Sequence, residues 1–258
     1  MDKKIILLTN DDGIDSEGLY ILYKALKEDK RFNIKIVAPD KERSGIGHAI
    51  TVFRPISVKK EYREGEFFGY AVDGTPADCV KIAIKDILDN TPDLLISGIN
   101  RGANLGENII YSGTISAATE GTVLGVASVA VSVDNMIDPD YSYAADFIKR
   151  FAGQIIENSE IPAGTLLNVN IPDVCEKEIK GVKITRQSNA KVVDKFIKRV
   201  DPRGRDYYWM DGDYNGGPQD EDSDYGAVKN NYISITPIHY DRTNYKVLDY
   251  FKKWEVEK

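Results

Sequence analysis

Histidine and cysteine are scarce in this chain, with two of each among 258 residues. Cys79 and Cys175 stand far apart and lack metal-ligand spacing, which argues against a zinc site and a disulfide scaffold. Both thiols are expected to be packing residues in a reduced, cytoplasmic protein. No stretch reaches the roughly 18 consecutive apolar residues of a membrane helix, so no membrane partner is expected. Positive charge is short as well. The formal net charge of -7 disfavours a nucleic-acid polymer as a stable partner. A small anionic substrate fits that balance, because a bound cation reverses the local field. Two nucleotide motifs are missing: no Gly-x-x-x-x-Gly-Lys-Ser/Thr loop occurs, and the first strand-to-helix turn lacks Gly-x-Gly-x-x-Gly. ATP- and NAD-dependent chemistry lose weight accordingly. Internal repeats and low-complexity tracts are absent too.

What remains is an ordinary globular composition, 42% hydrophobic and 29% charged, long enough for one large α/β domain or a core with an appended module. The apolar run Lys4–Thr9 flows straight into a polar turn, so it reads as a first strand and not as a signal segment. Leu19, Leu22, Tyr23 and Leu26 then recur at helical spacing, predicting a helix over 16–29. Phe32–Ala38 and Phe67–Val72 read as strands. Thr75 and Pro76 make a suitable N-cap and first helical residue for a helix with Val80, Ile84, Ile87 and Leu88 on its apolar side. A short strand over Asp93–Ser97, a long loop, a small-residue helix starting near Ser112–Ser116, a strand over Ala127–Val133 and a helix over 141–157 follow. Strand–helix alternation at this spacing predicts an α/β fold: a Rossmann-like, doubly wound, mainly parallel sheet. After about residue 185 the texture changes. The acidic stretch 201–226, with Tyr207, Tyr208 and Trp209 inside it, is expected to form a hairpin or arm that folds against a partner subunit. A strand over Tyr232–Thr236 and a helix over 243–255 complete the chain. The expected division is a catalytic core over 1–185 and an arm, strand and helix over 186–258.

Four segments rich in Asp, Asn, Ser and Gly follow the apolar runs: Thr9–Gly13, Arg43–His48, Ser97–Gly102 and Tyr111–Thr114. On parallel strands they emerge at one sheet edge, where open α/β sheets bind ligands. Adjacent Asp11 and Asp12 repel each other unless a cation or proton compensates them. Oxygen ligands suit Mg²⁺ or Mn²⁺, and Ser44 and Asn100 can complete the shell. Ser112, Gly113 and Thr114 open a helix whose free N–H groups suit an anion. His48 and His239 are candidate substrate or acid groups.

Asn10-Asp11-Asp12-Gly13, Pro39-Asp40-Lys41-Glu42-Arg43-Ser44, the run Gly74–Lys81, Ser97–Gly102, Tyr111–Thr114 and Ser234-Ile235-Thr236-Pro237 occur in this order. Together they closely resemble the survival protein E (SurE) family of nucleotidases, from the first strand to about residue 240. The resemblance implies a metal-dependent phosphatase of nucleoside 5′- and often 3′-monophosphates, sometimes of short polyphosphate, with one Mg²⁺ or Mn²⁺ per subunit. It implies Asp11, Asp12, Ser44 and Asn100 as metal ligands, and Asn10, Ser112, Gly113 and Thr114 as phosphate contacts, with Asn104 added. It also implies a C-terminal region exchanged between subunits, giving a homodimer or tetramer. In-line attack of water, with Asp11 and Asp12 as the catalytic carboxylates, is the expected chemistry. A nucleotide-binding regulatory module without turnover and a general sugar-phosphate phosphatase are the alternatives.

Overall fold

The computed structural model describes residues 3–158, 161–215 and 220–254. In chain order they form β1 (Lys4–Thr9), α1 (Glu17–Lys27), β2 (Phe32–Pro39), β3 (Val58–Arg63), β4 (Glu66–Val72), α2 (Pro76–Ile82), β5 (Leu94–Arg101), α3 (Gly113–Val123), β6 (Ser128–Val133), α4 (Ser142–Asn158) and β7 (Thr165–Ile171). Then come β8 (Val182–Ile184), β9 (Lys191–Val200), β10 (Asp206–Asn215), α5 (Asp224–Lys229), β11 (Ile233–His239) and α6 (Tyr245–Phe251). Nine strands make one sheet in the order β3-β4-β2-β1-β5-β6-β7-β11-β8, with the run from β4 to β7 parallel. The predicted Rossmann-like α/β class is therefore present.

A parallel sheet must be covered on both faces, and two separate apolar clusters do this. On one face Leu8, Ile96 and Val131 pack with Leu19 and Leu22 of α1 and Ile148 of α4. On the other, Leu7, Leu95 and Ala130 pack with Val80 of α2 and Ile115 and Ala118 of α3. The chain runs outward from β1 to β2 and β4, then returns to β5 on the opposite side of β1. That reversal opens a crevice above the carboxyl ends of β1 and β5. The polar segments lie there.

Several expectations need correction. The segment after Ser97 is not all loop: β5 continues to Arg101 across a register break between Ser97 and Asn100, so Asn100 sits in the strand opposite Ser132. The second predicted helix shortens, because a π-helical turn over Ala83–Ile87 follows α2 and Leu88 is already extended. The Thr75 cap is a full capping box with Asp78. The antiparallel hairpin is β9–β10; it begins ten residues before the predicted arm, while 216–219 lie outside the described residues. The last helix is confined to Tyr245–Phe251 within the predicted 243–255, of which residue 255 lies outside the described residues. Cys79 packs in the core, whereas Cys175 is exposed and its Sγ lies 3.2 Å from Glu178 Oε2, so only one thiol is a packing residue.

Candidate active site

The β1–α1 turn presents the two carboxylates. Asn10 shapes it: its Nδ2 donates to the Gly13 carbonyl at 2.9 Å and to Ser16 Oγ at 2.6 Å, and its Oδ1 accepts from the Gly13 N–H at 3.2 Å. These bonds hold the Asn10 side chain within the turn. Gly13 has φ +99°, and a Cβ there would lie 3.0 Å from the main chain of Lys41. Only glycine accepts both constraints without strain, and the close approach brings the β1 and β2 loops together.

Asp11 is buried and faces the start of α3, where Thr114 Oγ1 donates to its Oδ1. Burial raises the Asp11 pKa, and the Thr114 hydroxyl together with the Thr114 and Gly113 N–H groups pulls it partly back. The carboxylate thereby rests on the positive end of a helix. Asp12 is pushed up to about 6, first by burial and then by the negative charge of Asp11. Its Oδ2 accepts a long bond from the Arg101 N–H at 3.4 Å. The Arg43 guanidinium does not compensate the pair, being held by Asp40 at 3.0 Å and Asp73 at 2.9 Å.

Asn100 stands near the end of β5, and Ser44 lies in the loop that follows β2. The Arg43 N–H donates to the Asp11 carbonyl at 2.7 Å, which docks the Ser44 loop against β1. Ser44 Oγ is exposed and donates to Glu42 Oε1 at 2.8 Å. Asn100 Nδ2 donates to the Gly102 carbonyl at 2.7 Å, leaving Oδ1 without a hydrogen-bond partner among the described residues. Asp12, Glu42, Arg101 and Tyr141 line a cavity of about 230 Å³. Among the described residues no three His, Cys, Asp or Glu side chains gather as a ligand group. A cation here would draw on two carboxylates, neutral Ser and Asn oxygens, and water. That donor set fits a small hard divalent ion, and the Asp11–Asp12 charge, offset only in part by Arg101, gives it a reason to bind.

Ser112 is the N-cap of α3, its Oγ accepting from the Ile115 N–H at 3.1 Å. Asn104 lies in a buried amide network: its N–H donates to Asn170 Oδ1 at 2.7 Å, its Nδ2 to Ser132 Oγ at 2.8 Å, and its carbonyl accepts from Asn168 and Asn170. These bonds brace the 102–106 loop. His48 turns to α3, with Nε2 2.9 Å from Glu120 Oε2, and Lys81 binds the other carboxylate oxygen. His48 first, and Lys81 after it, hold the buried Glu120 carboxyl below its ordinary pKa. His239 is exposed, 3.1 Å from the Asp241 carbonyl. Both histidines line a second cavity of about 680 Å³ along α3. Glu120 was not among the expected site residues and Lys81 only as the end of the run Gly74–Lys81, although a lone carboxylate beside Ala117, Ala118 and Gly121 is a signal of its own.

The family model described as "Survival protein SurE" matches residues 6–194. The chain belongs to the SurE family. Similar relatives share that family's name over nearly their whole length. A "5'-nucleotidase SurE" of Desulforudis audaxviator is 50% identical over 255 residues, covering 98% of each chain. Another from Syntrophobacter fumaroxidans is 46% identical over 251 residues, covering 97% of this chain and 99% of the relative. The crystal structure of the SurE protein from Aquifex aeolicus superposes with a TM-score of 0.83 at 42% identity, covering 96% of this chain and 98% of that one. The crevice at β1 and β5 thus belongs to a SurE fold.

Proposed function

We propose that this SurE-family chain is a 5′-nucleotidase, hydrolysing nucleoside 5′-monophosphates to nucleoside and phosphate. The observation that carries the reading is the Asp11–Asp12 pair at the end of β1, in which Asp11 is held at the N-terminus of α3 by Thr114 while Asp12 meets the Arg101 N–H of β5. That juxtaposes a cation-seeking pair with an anion-seeking helix end, as a phosphoryl group and its counter-ion require. The relatives named 5'-nucleotidase support the substrate class.

Asp11, Asp12, Ser44 and Asn100 would hold the ion. Bound there, Mg²⁺ or Mn²⁺ supplies neutralisation of phosphoryl charge and activation of water. With the Asp11 charge drawn to the ion, the N–H groups of Gly113 and Thr114 that now meet it, and the Ser112 hydroxyl, would hold phosphoryl oxygens as charge redistributes. Water attacks phosphorus in line as the bond to the ribose oxygen breaks; one water proton ends on that oxygen, so nucleoside leaves, and the other stays on the phosphate. Asn10 and Asn104 serve the same phosphate site through the loops they brace. Nucleoside 3′-monophosphates and short polyphosphate present the same group to that site and are proposed as further substrates.

Incubation with AMP and Mn²⁺ should release phosphate, and EDTA should abolish the release. Nucleotide binding without turnover would favour a regulatory module. Equal turnover of sugar phosphates would favour a general phosphatase.

The arm points to a homodimer or tetramer. Phe196, Tyr207, Tyr208, Trp209 and Met210 are exposed on the β9–β10 hairpin, and Tyr245, Tyr250 and Phe251 on α6. Aromatic surface of this extent marks an interaction site, and a second copy is the proposed occupant. Residues 1–185 would then form the catalytic core and 186–258 the region that completes the oligomer. The free thiols support a cytoplasmic setting. No helix among the described residues is long and apolar enough to cross a membrane.

A further inference from the structure

We propose that the His48–Glu120 pair is a positioning clamp that fixes the Ser44 loop for metal binding. The inference rests on the reading of Ser44 as a metal ligand. Ser44 is held by little of its own: its hydroxyl bonds only to Glu42, itself an exposed side chain. Gly45 and Gly47, with φ of +68° and +58°, flank Ile46, and a Cβ at Gly45 would meet nothing within 4 Å. The place of Ser44 is therefore set by anchors on either side.

Upstream, the Arg43 N–H is fixed to the Asp11 carbonyl at 2.7 Å. Downstream, the Gly47 N–H donates to the Tyr111 carbonyl at 2.9 Å, and His48 Nε2 lies 2.9 Å from Glu120 Oε2. Glu120 is a rigid post. Its side chain is 5% exposed, it projects from α3, and Lys81 of α2 holds its second oxygen. With the carboxylate buried and His48 only 26% exposed, such a bond is better directed than one between two exposed side chains. The same helix begins at Gly113 and Thr114, so the clamp ties the Ser44 loop to the element that carries the anion site. Beyond it, Thr75 Oγ1 donates to the Ala49 carbonyl at 2.7 Å and the Thr51 N–H to Asp78 Oδ1 at 3.0 Å. Those bonds hold the chain past residue 48, and the Gly47 N–H together with the His48 side chain fixes the near end of the stretch that carries Ser44.

The test is direct Mn²⁺ binding by calorimetry on the EDTA-stripped full-length chain, with AMP turnover measured at saturating Mn²⁺. His48→Ala should weaken Mn²⁺ binding about tenfold, the scale seen when an outer partner of a metal ligand is removed, and Ser44→Ala at least as much. Turnover of His48→Ala should recover to within about twofold once Mn²⁺ saturates. His48→Gln keeps a donor within reach of Glu120 and should restore binding. Weakened binding in Ser44→Ala with none in His48→Ala would overturn the clamp alone. Unchanged binding in Ser44→Ala would remove Ser44 from the ion and the clamp with it. A fall in saturated turnover that Gln does not rescue would make His48 an acid acting on substrate, overturning the positioning role.

Discussion

Gly113 stands so close to Asp11 that a Cβ placed on it would lie 2.7 Å from the Asp11 Cβ and 2.8 Å from its Oδ2. The helix start and the carboxylate can share the crevice only because residue 113 has no side chain. Gly113→Ala should push Asp11 off the helix end. We expect kcat/KM for AMP to fall about 10- to 100-fold, as an ångström-scale misplacement of a reacting group does. Thermal stability should fall as well, since the first residue of a helix gains little propensity to set against the collision. Steady-state phosphate release and a melting curve check both halves.

Thr114 acts on the same carboxylate through its hydroxyl, which opposes the rise in pKa caused by burial. In Thr114→Val that opposition is gone, so Asp11 holds its proton to higher pH. The acid limb of the pH–activity profile should shift upward. At pH 7 kcat/KM should drop about tenfold, the scale of one hydrogen bond to a charged group. An unshifted limb would separate Asp11 from that titration.

Asp12 places function against stability. Its pKa rises from the ordinary 3.8 to about 6 on folding, so the folded state prefers the protonated carboxyl. The stabilising contribution is full below about pH 4 and is lost as pH rises through 6. Without metal, Asp12→Asn should therefore be more stable than the parent at pH 7, by about 1–2 kcal/mol after allowance for solvent screening. The gain should vanish near pH 4. Added Mn²⁺ should stabilise the parent and leave the variant unmoved. Melts in EDTA and in Mn²⁺ at both pH values test it, and the variant should be inactive.

The hairpin offers the clearest test of assembly. Trp209 is 65% exposed near the middle of β10, and a charge there meets no core. Trp209→Glu should leave the fold intact and shift the chain to a smaller species by light scattering. A parent already monomeric at micromolar concentration would sink the reading of the arm.

Elements with a strong period were legible. The runs of β1, β2, β4 and β6 and the helical spacing of α1 and α4 state their own burial. Four strands were not: β9 lies wholly before the arm expected at 201–226, and the other three each have a local reason. β3 reads Val-Lys-Lys-Glu-Tyr-Arg because it is a solvated edge whose charges hide any alternation. In β7 the inward positions include Asn168 and Asn170, which are buried with Asn104 and break the apolar pattern. β8 has three residues, too few for any period. The site shows the same division. Asp11, Asp12, Ser44, Asn100 and Ser112–Thr114 were marked by residue type at strand ends, whereas Glu120 and Lys81 required the packing of α2 on α3.

The chain of residues by itself determined the chemistry available: paired carboxylates, neutral oxygens and a glycine-led helix start, each a local property of side-chain type. Tertiary structure decided which of them face the crevice. Asn10 and Asn104 turned inward, because buried loops must satisfy their own polar groups, and His48 was claimed by Glu120. Asp11 and Thr114 met across 103 residues, a contact that no local pattern encodes because only the crossover of the sheet creates it.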